Sequence, residues 1–272
     1  MNELNALFRK KVGIPESEVI PFDRLAYVLE RLAKTVPFEN LNIIRKSNAV
    51  ITKEYVIQKI LKDQEGGLCY EINALLYLFL IENGFDAVLT RGVVYNHDTQ
   101  AYFTLGRTHL TTLLTHEEQT YLLDSGFGGN LPLKPVPLTG ETITSSNGQF
   151  RIKKEDSEHG DYLLEMKLKH KDTDWKVGYA FDSQKQLTDL TECNAIRHIV
   201  YEHPESRFNK HPLITQITDD GSVTLTDTSL TQWKDGVLTK EQIDMGDYER
   251  LLKQHFGMSS KGSGYGPSLE KR

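Results

Sequence analysis

Cys69, His109 and Asp124 are the residues whose types and placement suit nucleophilic chemistry. Cys69 follows Gly66-Gly67-Leu68 and leads into Ile72 and the string Ala74 to Ile81, a run that is apolar almost all round. A helix of that kind is buried on every side. Its N-terminus is the end with chemistry in it. The glycine pair lets the backbone turn sharply, and the first free amides and the positive end of the helix dipole then surround Cys69. Both effects favour a thiolate, the form in which cysteine attacks. A free cysteine is also among the residues most often buried as a small hydrophobe. The nucleophilic reading therefore needs a base beside the sulfur and an acid to orient that base.

Residues 107–130, RTHLTTLLTHEEQTYLLDSGFGGN, supply both. A strand starting at His109, a turn at His116-Glu117-Glu118-Gln119 and a return strand ending at Asp124 form a hairpin. Strand start and strand end are then neighbours across the ladder, so His109 and Asp124 are expected side by side at the open end. Leu110, Leu113 and Leu114 face Leu122 and Leu123 in its body. An aspartate closing an apolar strand needs a partner; holding an imidazole is one way to satisfy it, and capping the turn at Gly126 is the plain alternative. Asn73 lies four residues after Cys69 on the same helix face. It is placed either to hydrogen-bond this group from below or to serve as a packing amide. Cys193, between Glu192 and Asn194, is placed near the middle of a later helix and reads as structural.

These residues need a scaffold, and the chain offers three parts. From residue 1 to 85 the patterns are helical: apolar steps of three and four over Asp23–Leu32, then Thr52 as N-cap of Lys53–Leu61. VPFENLNI, residues 36–43, lies between them and favours extended backbone. From 86 to 184 short period-two runs predict strands at Asp86–Val94, His109–Thr115, Thr120–Asp124, Gln149–Lys153, Tyr162–Lys169 and Trp175–Phe181. From 185 to 258 helices are expected at Leu187–Glu202 and Lys240–His255, with strands at Leu213–Ile217 and Ser222–Thr226 between them. Residues 259–272 are Gly/Ser-rich and read as a flexible tail or an expression remnant.

Composition narrows the function. The 272 residues carry a formal charge of −6, with 38% hydrophobic and 26% charged residues, which advertises neither a nucleic-acid nor a membrane surface. Two cysteines make neither a disulfide framework nor a zinc site, so no metal is expected and a cytoplasmic setting is the default.

Taken together, the motifs resemble those of the arylamine N-acetyltransferase family. Gly66, Gly67, Cys69, Glu71 and Asn73 match its Arg-Gly-Gly-x-Cys-x-Glu-x-Asn block; Pro37–Leu41 match Pro-Phe-Glu-Asn-Leu; His109 and Asp124-Ser125-Gly126-Phe127-Gly128 match the third block. The resemblance implies an α+β, three-part, cysteine-protease-like architecture: an N-terminal helical bundle, a central antiparallel β-barrel-like sheet and a C-terminal α/β lid. It implies acetyl-CoA as cosubstrate, an arylamine or arylhydrazine acceptor, and a ping-pong route through an acetyl-cysteine thioester. Phe127, Gly126, Gly128 and Val94 are the substrate-binding residues it suggests, Asn73 and Glu39 the supporting ones, and a monomer or weak homo-oligomer the state. A thiol hydrolase, another acyltransferase, or a weakly catalytic small-molecule binder are the alternatives. One departure stands out. Glu65 occupies the place of the family arginine, which is expected to brace the glutamate matching Glu39, so two acids face each other where one pair is usual.

Overall fold

In the computed structural model, which describes residues 2–260, helices carry the chain as far as Glu82. α1 (Glu3–Val12) starts under Asn2, whose side chain accepts the Asn5 amide, and stops at Gly13 in the left-handed region. After α2 (Leu25–Thr35) come the short strand β1 (Phe38–Glu39) and α3 (Leu41–Ile44). Thr52 caps α4 (Lys53–Val56) as the sequence predicts, its hydroxyl accepting the Tyr55 amide, but the helix then widens into a π-helical stretch over Ile57–Lys62. α5 (Cys69–Glu82) is buried from Cys69 to Leu80. Around it pack Leu4, Phe8, Leu29 and Leu32 from the first helices, Leu89, Leu110 and Leu114 from the sheet, and Ile196 and Val200 from a later helix. This is the main core, and the all-round apolar pattern is its cause.

The middle of the chain is an antiparallel sheet. Its strands are β2 (Asp86–Asn96), β3 (Ala101–Tyr102), β4 (His109–His116), β5 (Gln119–Leu123), β6 (Val136–Pro137), β7 (Ile143–Thr144), β8 (Gly148–Ser157), β9 (Gly160–Leu168) and β10 (Lys176–Phe181). The spatial order is β6-β5-β4-β2-β10-β9-β8-β7, with β3 on β2, and β6 comes back against β8, so the sheet nearly closes into a barrel. Leu122, Phe150, Leu164, Tyr179 and Phe181 fill its interior. The expected hairpin is present: Leu113 faces Leu122, and Glu117 and Glu118 turn the corner with positive φ.

The last part contains α6 (Thr191–Glu202), β11 (Leu213–Ile217), β12 (Gly221–Thr226), β13 (Ser229–Lys234), β14 (Val237–Gln242) and α7 (Met245–Phe256). Its sheet runs β1-β11-β12-β13-β14, so β1, from the helical part, is stitched to it with Phe38 opposite Thr215. The architecture is α+β and of the cysteine-protease-like kind expected.

Three expectations are corrected. Of residues 36–43, expected to be extended, the chain is strand only at Phe38–Glu39, and Leu41–Ile44 form α3. The helix expected from Lys240 starts at Met245; Lys240 to Gln242 belong to β14, paired with β13 around Asp235-Gly236, both at positive φ. Asp-Gly between two short apolar-rich runs is a hairpin signal. The helix expected from Leu187 starts at Thr191, because Leu187 exchanges backbone hydrogen bonds with Leu89 instead. Of the expected tail, Ser259 and Ser260 present carbonyls to the Arg45 guanidinium; residues 261–272 lie outside the described residues.

Candidate active site

Cys69 is the first residue of α5. Its sulfur lies 3.5 Å from the Thr108 carbonyl, and Cys69 and the His109 ring line the same cavity. The ring uses Nε2 for Asp124 Oδ2 at 2.7 Å, which leaves Nδ1 unused by the carboxylate. The hairpin explains the approach in detail. Thr112 pairs with Leu123, so the position across from Asp124 is Thr111, and His109, two residues before it, reaches Asp124 as a diagonal neighbour on the same face.

Asp124 is buried, and its two oxygens are fully occupied. Oδ1 accepts the Asn73 side-chain amide at 2.9 Å and the Gly126 backbone amide at 2.8 Å; Oδ2 accepts the His109 ring and the Tyr179 hydroxyl, the latter at 2.8 Å. Burial opposes its charge, but His109 and these donors outweigh burial and hold the carboxyl below the usual range. Burial also opposes a charged ring at His109. The Asp124 carboxylate, by charge and hydrogen bond, and then Cys69 reverse that and raise the imidazole from 6.5 to about 10. The resting ring is therefore an imidazolium at neutral pH.

Asn73 does what its place on the helix suggested and more. It donates to Asp124 and to the Leu110 carbonyl at 2.7 Å, and accepts the Ser125 amide at 2.9 Å, so one side chain ties α5 to both strands of the hairpin. Gly126 is where the turn meets the helix. A Cβ there would lie 2.6 Å from Cys69 Cα and 2.8 Å from Asn73 Nδ2, so only glycine lets Asp124 and Cys69 come this close.

The sulfur opens into a cavity of about 320 Å³, lined by Phe38, Val94, Phe103, Phe127, Phe208 and the small backbone of Gly126, among others, with Glu205 and Arg207 joining His109 as its charged members. Of the substrate-binding residues suggested by sequence, Phe127, Gly126 and Val94 line it. Gly128 does not. Its φ of 59° serves the turn, and Phe38 and Thr215 flank it. Phe127 packs 5.0 Å from the His109 ring and Tyr179 4.4 Å.

Tyr179 escaped the sequence reading. It sits mid-strand in β10, beside β2, and nothing within its own run marks it apart from the other apolar residues there. Glu39 is buried and ion-paired with Lys59 at 2.9 Å, while Glu65 lies 3.5 Å from Arg45. The two acids that sequence set face to face each have a cation.

A family model described as N-acetyltransferase matches residues 22–263. Among curated proteins, an uncharacterized acetyltransferase, YvcN, of Bacillus subtilis (strain 168) is 39% identical over 91% of this chain and 95% of its own length. A probable arylamine N-acetyltransferase 3 of Dictyostelium discoideum is 32% identical over 87% of this chain and 86% of its own. Among solved structures, an arylamine N-acetyltransferase from Bacillus cereus superposes with a TM-score of 0.89 at 42% identity, covering 95% of this chain and all of that one. That enzyme is described as having a Cys-His-Glu catalytic triad. The carboxylate against His109 here is an aspartate.

Proposed function

The chain belongs to the arylamine N-acetyltransferase family, and from that premise we propose that it moves an acetyl group from acetyl-CoA to an aromatic amine or hydrazine through an acetyl-Cys69 thioester. One observation carries the reading: Cys69 and His109 line one aromatic-walled cavity, and Asp124 holds the His109 ring from behind at 2.7 Å.

In this reaction Cys69 attacks as its thiolate, with the His109 imidazolium as its partner. The sulfur attacks the thioester carbonyl, and the Cys69 backbone amide, at the first position of α5, faces the oxyanion that forms. The carbon–sulfur bond to CoA breaks, His109 gives its proton to the departing thiolate, and CoA leaves as a thiol. The ring is now neutral. An acceptor nitrogen attacks the acetyl-cysteine, His109 takes its proton, and the Cys69 thiolate departs, restoring the pair. Asp124 keeps the Nε2–H pointed at itself throughout, so Nδ1 stays turned toward sulfur and acceptor. Phe38, Phe127 and Phe208 suit a flat aromatic acceptor and leave few polar groups to order a competing water.

Incubation with acetyl-CoA and an aromatic amine such as anisidine tests this. CoA release that depends on the amine, and an acetyl adduct on Cys69 when the amine is withheld, are expected. Steady CoA release without amine would make the protein a hydrolase, and absence of any adduct would remove the covalent route.

A further inference from the structure

Beneath the catalytic turn lies a second buried charge cluster that the acetyl-transfer steps do not use. Lys59 Nζ sits 2.9 Å from Glu39 Oε1 and 2.8 Å from Glu71 Oε1, and all three side chains are buried. Each carboxylate also holds backbone. Glu39 accepts the Leu41 amide, and Glu71 Oε2 accepts the Leu68 amide at 2.8 Å, one residue before Cys69. The two stretches they belong to touch directly. Gly67 N–H donates to the Pro37 carbonyl at 3.1 Å, and Glu39 N–H to the Gly67 carbonyl at 3.0 Å. Phe38, between Pro37 and Glu39, is a wall of the catalytic cavity, and Cys69 is part of the same lining.

The way Lys59 gets there is itself unusual. It lies in the π-helical stretch Ile57–Lys62, where Asp63 N–H reaches back five residues to the Gln58 carbonyl at 2.8 Å. Such wide turns are rare and recur at functional sites. This one puts a lysine among Ile57, Ile60 and Leu61, on the buried side of the helix. Tyr55 adds a hydroxyl to Glu71 Oε1 at 2.8 Å and itself accepts the Asn42 amide. Burial works against the ammonium charge, but Glu39 and then Glu71 more than compensate and hold its pKa well above the ordinary value.

We propose that Lys59 is a positioning residue for the transfer reaction: bridging Glu39 and Glu71, it staples the strand that carries Phe38 to the turn that carries Cys69. Without it two carboxylates face each other in a dry site, one must take a proton or move away, and the hold of Glu71 on the Leu68 amide is the contact placed to loosen. Sulfur and cavity wall then lose their fixed relation, and reactions at Cys69 suffer most because small displacements of a reacting atom are costly. The inference rests on the triad chemistry proposed above.

The test reads Cys69 by its alkylation with iodoacetamide, which needs no acetyl donor and so stands apart from whether the protein is an acetyltransferase. Cys193, fully buried, serves as an internal reporter of global opening. In Lys59→Met the Cys69 rate is expected to fall at least tenfold while Cys193 stays closed. A rate within twofold of the parent, or simultaneous exposure of Cys193, would overturn a positioning role. The double variant Glu39→Gln with Lys59→Met keeps the cluster's net charge and guards against a variant that does not fold. It lacks the bridge, so slow alkylation is still expected. Recovery of the parental rate there would mean that Lys59 only neutralises Glu39, and the staple would be wrong.

Discussion

Cys69 and Cys193 occupy the first turns of two helices that pack together, α5 and α6, and they could hardly differ more. Cys193 is the third residue of its helix, not a mid-helix residue as the sequence suggested, so it too sits at the positive end of a dipole. It is nonetheless fully buried among apolar neighbours, and burial, followed by the charge of Cys69, pushes its thiol up to about 12. Cys69 has an imidazolium beside it and a cavity in front of it. A helix start is therefore insufficient. What distinguishes the proposed nucleophile is a charged partner delivered from another element, together with access.

The largest effect should come from exchanging the two sulfurs separately. Cys69→Ser is expected to lower acetyl transfer by at least on the order of 10⁴-fold, as loss of a triad member does, and to abolish alkylation of the folded protein. Cys193→Ser should leave the transfer rate unchanged. Peptide mapping after iodoacetamide at neutral pH decides it. Equal labelling of both cysteines would erase the contrast.

Next comes the partner's own support. Asp124→Asn keeps the shape but puts an amide where Oδ2 accepts from both His109 and Tyr179. The ring loses its fixed tautomer, and a fall on the order of 10³–10⁴ in transfer rate is expected by analogy with other triads. Tyr179→Phe removes only one of the four donors to Asp124. About tenfold is expected there, equivalent to ~1.4 kcal/mol, read in the rate of Cys69 acetylation.

The pair also sets a pH window. His109 has its folded pKa raised from 6.5 to about 10, so its contribution to stability is complete below pH 6.5 and fades as pH rises towards 10. Asp124 is depressed from 3.8, so its contribution is present above that value and is lost as pH falls below it. Chemical denaturation of the parent and of His109→Asn, at pH 6 and pH 9, should show the parent losing more stability across this interval. Parallel losses would mean that the ring is not held charged.

Much of the site is written locally. Gly66-Gly67 before an apolar run marks the helix start, and the spacing from His109 to Asp124 around a four-residue turn marks the hairpin. Asn73 follows from helical periodicity. Tyr179 and Lys59 do not, because their partners lie 55 and 12 residues away and their own segments look like ordinary core. Lys59 offered one clue, a lysine within an apolar string, but the π-helical turn that faces it inward depends on packing. The missed β14 is a different case. Its signal, Asp235-Gly236, was local, yet charged Lys240 and Glu241 leading towards Tyr248, Leu251 and Leu252 mimic the start of an amphipathic helix.

The smallest expected effect sharpens the comparison most. Cys193→Ala removes one sulfur from a filled core, and such truncations leave a small void whose cost depends on how far the neighbours relax. About 1 kcal/mol of stability is expected, seen as a lower denaturant midpoint with an unchanged slope. The transfer rate should hold within twofold, because Cys193 is not part of the cavity lining. If the rate fell in step with stability, α6 would be supporting α5 at the catalytic turn. The difference between the two cysteines would then be one of degree in a shared core, with the imidazolium no longer enough to account for it.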